Sequence, residues 1–367
     1  MLKIIEYKIY PNKAQEQKLY SILRNARRLY NTALEHRIKE YKENSKTISY
    51  YDQAKKFKGK YNMPASLTQA VLRKLDITYK AFFSRGYGFP RFKNWRRFNC
   101  IELRQYKTDG YFDAGKLKLW KMKIKTSNHR ELEGKPMQGR IIKRVTGWYW
   151  QITCEIEKSE QKEKIQTAIG LDMGLKALVF DSEKNQTKAP KFLRQSEEKL
   201  ITYHKSVSRK KKGSYNRRKA VDILAKTYLK VKRQRLDFLH KLSRKYADYD
   251  LICVEKLNIA GMLKNHKLAK SIADASWNLF LQLLRYKAES AGSYFVEVNP
   301  KYTTQKCSQC GTMVKKTLSQ RTHICPECSL IIDRDYNASL NILRLGISHA
   351  GEIGLPILLK AEAVGID

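Results

Sequence analysis

Two Cys-x-x-Cys pairs near the C-terminal end constrain the fold of this chain more than any other sequence feature. Cys307 and Cys310 form the first pair, Cys325 and Cys328 form the second, and fourteen residues separate the pairs. Each pair can direct two thiolates at one ion, and four thiolates at about 2.3 Å satisfy tetrahedral zinc. Two disulfides, or a redox pair, explain this spacing less well in a reducing compartment. We therefore expect one compact zinc ribbon whose closed site is structural and takes no part in catalysis.

The charge balance indicates a polyanionic partner. The 367 residues include 74 Lys plus Arg against 35 Asp plus Glu, a formal net charge of +39. Such a surplus repels itself unless a polyanion neutralises it, and contacts from Lys and Arg to phosphates gain free energy by releasing counterions. Nucleic acid is therefore the expected partner. The length suits two or three domains, and the 42% hydrophobic content can build real cores.

A membrane location is disfavoured by the sequence. No apolar run approaches the ~20 residues needed to cross a bilayer. The first residues, MLKIIEYKIYP, turn polar too soon for a secretory signal. We expect the protein in the cytoplasm, associated with the nucleoid.

Hydrophobic spacing predicts an N-terminal helical bundle followed by a β-rich module. Apolar residues recur every three or four positions over 14–41, and a second helix follows a capping-box pattern at Ser66 and Gln69. From about 99 to 157 the pattern changes to short alternating segments such as WYWQITCEIE at 148–157. This module is either an edge sheet without a ligand or a sheet whose aromatic residues stack on bases.

A different domain is predicted from residue 167. Two short apolar strands flank a turn at Gly174, further strands are expected at 251–257 and 294–298, and a helix at 275–288. Residues 196–246 read as a strongly basic helical hairpin. A charge run is usually only a solvated face, but in a chain with this surplus it favours phosphate contact. The residues proposed for that contact are Arg209, Lys210, Lys211, Lys212, Arg217, Arg218 and Lys219.

Three carboxylates at the ends of predicted elements are candidates for catalysis. Asp172 follows an apolar strand, Glu255 ends the run LICV, and Asp335 precedes the last apolar helix. Singly, they could be a turn aspartate, a solvated edge residue and an N-cap. Together, on a chain that binds nucleic acid, they suit two Mg²⁺ ions about 4 Å apart, which would clamp the attacking and leaving oxygens of a phosphodiester.

The order of sequence blocks then becomes specific. GLDMGLKALVF, VEKLNIAGML, ASWNLF, KYTTQKCSQCG, CPEC and DRDYNASLNIL occur in succession between about residues 169 and 345. These blocks resemble those of TnpB proteins, relatives of the type V CRISPR effector nucleases. The N-terminal half is similar more loosely, in its helices and in the aromatic segment around GFPRFK.

The resemblance implies an α+β multidomain fold. It would combine an N-terminal helical bundle and β-rich module with a C-terminal RuvC domain, an RNase-H-like mixed α/β fold with an inserted zinc ribbon. The expected divisions are an N-terminal strand and helical recognition region at 1–95, a wedge-like β-rich module at 96–166, a nuclease domain with the basic hairpin at 167–300, the ribbon at 301–332, a final nuclease segment at 333–350 and a flexible tail at 351–367.

The resemblance also assigns roles to residues. Asp172, Glu255 and Asp335 take the three metal-binding positions, and Asp333 then supports the turn. Arg321, inside the zinc loop, is similar to an arginine that the family places near the scissile strand. Ser329 departs from the family, which usually has glycine after the last cysteine, so the final turn of the ribbon is expected to differ.

The implied activity is RNA-guided cleavage of double-stranded DNA. One protein would hold one transposon-derived guide RNA, recognise a short motif beside the target and cut with two Mg²⁺ ions, while one Zn²⁺ stabilises the ribbon. Gln69 is a candidate reader of the motif by its position alone. Two alternatives stay open: an RNA-guided repressor that binds without cutting, and an RNase-H-fold transposase or resolvase that needs no RNA.

Overall fold

The computed structural model of the chain describes residues 1–95, 98–113, 115–157, 159–262, 264, 274–317 and 319–359, and for Ala260 the backbone alone. The chain divides into two compact units, Met1–Glu157 and Lys158–Asp367. Most of the segment between the blocks VEKLNIAGML and ASWNLF lies outside the described residues, as does the part of the predicted tail beyond residue 359. Within the described ranges, no helix is both long and apolar enough to cross a bilayer.

Three helices form the bundle of the first unit: α1 Lys13–Asn44, α2 Tyr50–Lys56 and α3 Ala65–Arg85. The helix predicted over 14–41 is confirmed as α1. Buried Arg37 ties the three helices together, because its guanidinium donates to Gln53 at 2.8 Å and to Asp76 at 3.1 Å. A buried guanidinium is tolerated only when such partners satisfy it.

The predicted capping box at Ser66 and Gln69 is wrong. Helix α3 begins one residue earlier, at Ala65, and its N-cap Pro64 makes no side-chain cap hydrogen bond. The fixed φ of proline suits a helix entry, so the chain turns into the helix before Ser66 can act as its cap. Gln69 lies exposed in the first turns of α3.

A seven-stranded antiparallel sheet completes the first unit, in the order β2-β6-β7-β1-β5-β4-β3. Its central strand is the first in the chain, so the sheet is not confined to the region after residue 96. The strands are β1 Leu2–Tyr10, β2 Cys100–Leu103, β3 Gly110–Asp113, β4 Lys116–Leu119, β5 Met122–Thr126, β6 Lys135–Arg144 and β7 Gly147–Glu155.

The aromatic residues of β7 are part of the core and do not face a ligand. Trp148, Tyr149 and Trp150 are all buried. The Nε1–H of Trp148 donates to Glu16 of α1 at 2.8 Å, and Trp150 stacks on Phe112 with ring centroids 5.8 Å apart. The suggestion that these three aromatic residues stack on bases is therefore wrong, because they are buried within the unit.

The second unit contains a five-stranded mixed sheet in the order β10-β9-β8-β11-β12. Strands β8 and β9 form the predicted hairpin around Gly174, while β8, β11 and β12 run parallel. This mixed sheet with helices agrees with the predicted fold class. The strands are β8 Ala168–Asp172, β9 Ala177–Asp181, β10 Gln186–Lys188, β11 Leu251–Glu255 and β12 Tyr294–Val298.

The helices of the second unit include the predicted basic hairpin and a long C-terminal helix. They are α4 Phe192–Gln195, α5 Glu197–Ser208, α6 Tyr215–Tyr246, α7 Ile259–Met262, α8 Trp277–Ala291 and α9 Arg334–Glu352. A two-stranded ribbon, β13 Thr322–Ile324 and β14 Ile331–Asp333, precedes α9. After α9 the amide of Leu358 donates to the carbonyl of Ile165 at 2.8 Å, so the first part of the predicted tail is docked on the unit.

Candidate active site and cysteine cluster

The carboxyl ends of two parallel strands bring the first two acids side by side. Leu171 pairs with Val254 in the register of β8 and β11, and Asp172 and Glu255 are the next residues of these strands. Neighbouring strands lie about 4.8 Å apart and equivalent residues point to the same face. Asp172 is 8% exposed and Glu255 is 7% exposed, so both carboxylates are withdrawn from bulk water.

The third acid arrives on the first turn of α9, which packs closely on β8. A Cβ atom at Gly170 would lie 2.3 Å from the carbonyl oxygen of Ser339, so the contact requires glycine. Asp335 lies one helical turn before Ser339 and carries the first-turn negative charge that a helix N-terminus favours. Asp333, not Asp335, is the N-cap, since it accepts from the amides of Asp335 and Tyr336. The predicted support of the turn by Asp333 is confirmed.

The three acids form one electrostatically coupled pocket. Burial raises the pKa of Asp172 well above its usual value, and the negative charges of Glu255 and Asp335 raise it further. Burial also raises the pKa of Glu255, against the effect of a hydrogen bond from Thr303. Among the described residues, none donates a hydrogen bond to the Asp172 carboxylate. Buried acids that repel one another in this way are stabilised by a proton or by a cation.

The spacing of the acids differs from that of a single-ion site. In the part of the chain that the structure describes, only one group of three or more His, Cys, Asp or Glu has all its ligand atoms within 4.8 Å of one another, and that group is the four cysteines. The oxygens of the three acids are therefore more widely spaced than the ligands of one ion.

Two arginines contact Asp335. Arg334 donates to its Oδ1 from Nε at 3.0 Å and from Nη2 at 2.8 Å. Arg321 approaches Oδ2 from the ribbon, with its Nη1 at 3.7 Å and its side chain about half exposed. The arginine singled out from the zinc loop thus lies at the rim of the acidic pocket.

Sequence reasoning missed the polar side chains that hold this pocket. Thr303 donates to Glu255 at 2.5 Å. Asn341 of α9 donates to the carbonyls of Thr303 and Lys306 at 2.8 and 2.7 Å, and Asn337, one turn earlier, bonds Lys306 and the amide of Ser308. The two buried asparagines fasten the start of the ribbon to α9. The four-residue spacing of these two asparagines in DYNASLNIL is the sequence feature that could have indicated their shared role.

The four cysteines converge as predicted. The Sγ atoms of Cys307 and Cys328 lie 3.6 Å apart, and those of Cys310 and Cys325 lie 3.4 Å apart, with no disulfide between them. A tetrahedron of thiolates at 2.3 Å from an ion has edges of about 3.8 Å. The hydroxyl of Thr312, 3.4 Å from Sγ, lowers the pKa of Cys310 to about 6. The spacing of the four sulfur atoms therefore fits a single metal ion.

The two knuckles end with the same backbone turn. Gly311, after the first pair, has φ +77°, and Ser329, after the second, has φ +57°. The expectation that serine would change the final turn is wrong, because Ser329 adopts the left-handed conformation that favours glycine. Buried His323 lies in β13 and contacts Lys316.

The basic run lies at the turn of the α5–α6 hairpin. Arg217 is committed to that turn, since its Nη1 donates to the carbonyls of Val207 and Lys210 at 2.8 and 3.0 Å. Lys210 is partly covered and bonds Ser206. The remaining proposed phosphate contacts are exposed: Arg209, Lys211, Lys212, Arg218 and Lys219.

Three protein-family models match the chain in order. A helix-turn-helix domain model and a probable transposase model, both of the OrfB IS605 group, match residues 1–46 and 151–266. A Cas12f1-like TNB domain model matches residues 277–342, which include all four cysteines and Asp335. A TnpB-like protein of Acanthamoeba polyphaga mimivirus is 27% identical over 52% of this chain and 39% of its own length. The predicted resemblance to TnpB proteins is confirmed.

Two further similar proteins match this chain over nearly its full length. A protein of Streptomyces pristinaespiralis, named as an RNA-guided DNA endonuclease, is 28% identical over 94% of this chain and 90% of its own. A protein of Escherichia coli K12 with the same description, InsQ, is 24% identical over 94% and 92%. The solved structure of the mini-RNA-guided endonuclease CRISPR-Cas phi3 aligns with a TM-score of 0.54 at 9% identity, over 95% and 92% of the two chains. At that identity the likeness concerns the fold alone.

Proposed function

We propose that this protein is an RNA-guided DNA endonuclease, and that the pocket of Asp172, Glu255 and Asp335 is its one RuvC-like cleavage site. The coupling of three acids from β8, β11 and α9 is the observation that carries this proposal. The formal charge of +39 and the names of the relatives support the same function. A trio of acids, two of them buried, would be an unexplained cost in a protein that only binds DNA.

The donor set fits divalent cations. Asp172, Glu255 and Asp335 would hold two Mg²⁺ ions, which when bound would supply an activated water and stabilise the leaving oxygen. Thr303 orients Glu255 through its hydrogen bond. Arg321 and Arg334, which contact Asp335, would also contact the backbone of the DNA strand.

The other parts of the chain take supporting roles in this proposal. One Zn²⁺ occupies the four-cysteine site and stabilises the ribbon. The exposed cations of the α5–α6 turn contact phosphates, and Gln69 is a reader of the target-adjacent motif. The recognition, wedge-like, nuclease and ribbon regions keep the divisions given above. The protein acts as a monomer with one guide RNA, in the cytoplasm beside the nucleoid.

A plasmid-cleavage assay tests the proposal. The full chain is purified from cells that carry its native flanking DNA, the RNA that copurifies is sequenced, and its guide portion is redirected to a plasmid library with a randomised flank. We expect a discrete RNA and linear plasmid with Mg²⁺, no cutting with EDTA, and no cutting by Asp172→Ala, which should still hold the RNA. Asp237→Asn, which removes an exposed acid of α6, is the matched control.

The outcomes separate the alternatives. Target binding without cutting by the unmodified protein would leave the repressor, and cutting that needs no RNA would leave the transposase or resolvase. The proposal fails in either case.

A further inference from the structure

A cluster of aromatic side chains stands in solvent where α3 ends. In the segment from Phe83 to Lys93, which we name the aromatic loop, Phe83 is 75% exposed, Tyr87 63%, Phe92 57% and Phe89 46%. Burying one such ring in the core would stabilise the fold by roughly 1.5–3 kcal/mol. Several adjacent rings left exposed on one loop mark a binding surface rather than a packing defect.

The aromatic loop is held in place before any ligand arrives. The left-handed Gly86 ends α3, and Pro90 is buried. Asn31 of α1 then clamps the far end of the loop, donating to the carbonyl of Lys93 at 3.0 Å and accepting from its amide at 2.8 Å. A fixed loop loses little conformational entropy on binding, so its exposed rings can contribute most of their contact energy to a ligand.

Half-buried rings support the exposed ones. Phe82 meets Phe89 edge to face with centroids 5.3 Å apart, and Tyr79 meets Phe89 at 5.7 Å and Phe83 at 6.3 Å. These contacts fix the backbone positions from which Tyr87 and Phe92 project. The result is a row of flat apolar faces on a rigid base.

The charge around the rings selects the ligand. No Asp or Glu occurs between Asp76 and Glu102, while Arg85 and Arg91 are exposed within the loop. Among the described residues, neither arginine pairs with a carboxylate. Alternating flat rings and free guanidinium groups match alternating bases and phosphates, as in proteins that bind single strands. A base pair in a duplex cannot offer its face to a ring, so the match requires unpaired nucleotides.

We propose that the aromatic loop is a binding site for unpaired nucleotides, in which Phe83, Tyr87 and Phe92 stack on bases while Arg85 and Arg91 contact the intervening phosphates. The proposal rests on the proposed function only in that both require a nucleic acid partner. The unpaired nucleotides come either from the guide RNA or from the displaced DNA strand, which share this chemistry.

Fluorescence anisotropy in EDTA tests the site, with the full chain freed of copurified nucleic acid. The probes are labelled oligo-rU and oligo-dT of about 12 nucleotides and a duplex of the same length. The triple variant Phe83→Ala, Tyr87→Ala, Phe92→Ala is compared with Tyr41→Ala, Tyr51→Ala, a control that removes two exposed rings of α1 and α2. Each base stack is worth about 5- to 150-fold in affinity, so the triple variant should bind single strands at least tenfold more weakly.

Three further readouts exclude a merely structural effect. The triple variant should bind the duplex within twofold of the unmodified protein and keep its salt dependence. Arg85→Gln, Arg91→Gln should lower the slope of log affinity against log salt by about 0.7 for each phosphate that is no longer neutralised. The variant Phe83→Trp, Tyr87→Trp, Phe92→Trp should restore single-strand binding. Thermal melting within about 2 °C of the unmodified protein verifies the fold of each variant.

The outcomes are decisive in both directions. A larger loss with oligo-rU assigns the guide RNA, a larger loss with oligo-dT assigns the DNA strand, and either supports the site. Single-strand binding that stays within twofold, or an equal loss with the duplex, overturns it, as does self-association that the triple variant abolishes. Nothing is cut in EDTA, so an inactive nuclease leaves this test unaffected. If the unmodified protein cuts DNA and the triple variant binds single strands as tightly as the unmodified protein does, the aromatic site is overturned while the proposed nuclease function stands.

Discussion

Asp172 is a buried carboxylate for which none of the described residues supplies a hydrogen bond. Its raised pKa follows from burial first and from the charges of Glu255 and Asp335 second. Placing an unpaired charge in such a pocket destabilises the folded chain, and a cation that binds the folded chain alone offsets that loss. Asp172 should therefore lower the stability of the folded protein when no metal is bound.

The variant Asp172→Asn should stabilise the metal-free protein, by roughly 1–3 kcal/mol, because it removes a repelled charge and keeps the shape of the side chain. The melting temperature in EDTA, followed by differential scanning fluorimetry, should rise by several degrees. The same variant should lose DNA cleavage and the stabilisation by Mg²⁺. Asp237→Asn, which changes an exposed acid, should alter the free energy of unfolding by less than about 0.5 kcal/mol. A lower melting temperature for Asp172→Asn would contradict the repulsion.

The acidic pocket also predicts how stability depends on pH. The folded chain raises the pKa of Asp172 above 3.8 and that of Glu255 above 4.5, so the folded state holds protons that the unfolded state releases. Their contribution to stability is complete below the unfolded values and is lost as the pH rises through the folded ones. The increase in melting temperature caused by Mg²⁺ should therefore grow as the pH rises through the raised pKa values of these acids, and should stay flat in Asp172→Asn.

Single residues show what the sequence could and could not reveal. Asp172 and Glu255 each end an apolar strand, and parallel strands end at one edge of a sheet, so the approach of these two acids was predictable. Thr303 was not, because a threonine in KYTTQK has no feature that distinguishes its hydroxyl from that of Thr304. Only the fold shows which of the two faces Glu255.

At the scale of elements, the placement of α9 on the mixed sheet depends on two glycines. The Cβ of an alanine at position 170 would lie 2.3 Å from Ser339 O and 2.7 Å from Leu343 N. A Cβ atom at position 346 would lie 2.1 Å from the Sγ of Cys253. These contacts set the distance between the helix that carries Asp335 and the strands that carry the other acids.

Gly170→Ala should push α9 away from β8. We expect a loss of about 1–3 kcal/mol in the free energy of unfolding and a weaker response to Mg²⁺, because the obstructing atoms belong to the backbone and cannot rotate away. Chemical denaturation and Mg²⁺ titration by thermal shift measure the two effects. Gly88→Ala, where a Cβ meets no atom within 4 Å, is the control and should be nearly neutral in stability.

The buried asparagines of α9 couple the cysteine ribbon to the acids. Asn341→Ala would leave the carbonyls of Thr303 and Lys306 without this donor, so Thr303 should hold Glu255 less firmly. We expect a higher Mg²⁺ concentration for half-maximal thermal stabilisation, and a similar increase when a chelator removes zinc from the unmodified protein. If zinc removal leaves the Mg²⁺ response unchanged, the ribbon does not position the acids.

Long helices were predicted well because the apolar residues that pack against the rest of the protein recur on one face of each helix. The apolar spacing over 14–41 matched α1, and the basic hairpin predicted over 196–246 matched α5 and α6. The burial of the aromatic residues of β7 was not predicted, because the sequence of the strand alone does not show that a helix covers one of its faces. Trp148 is buried by contacts to Glu16 and Tyr20, more than 120 residues earlier in the chain.

At the scale of the molecule, the charge of +39 should destabilise the protein in isolation. Salt shortens the range of repulsion from about 14 Å at 0.05 M to about 4 Å at 0.5 M, since the screening length is about 10 Å at 0.1 M. The melting temperature of the nucleic-acid-free protein should therefore rise over this range, and a short RNA at low salt should raise it as well. A melting temperature that falls with salt would show that attractive ion pairs outweigh the repulsion.

The central position of β1 determines when the first unit can fold. Residues 2–10 leave the ribosome before their partners β5 and β7, which end at Thr126 and Glu155. At about 5–20 residues per second, synthesis of the intervening chain takes roughly 7–30 s, and β1 meanwhile has two unpaired edges. The nascent chain therefore needs either a chaperone or early shielding by α1 on this strand, and slow codons just beyond residue 155 would favour correct pairing.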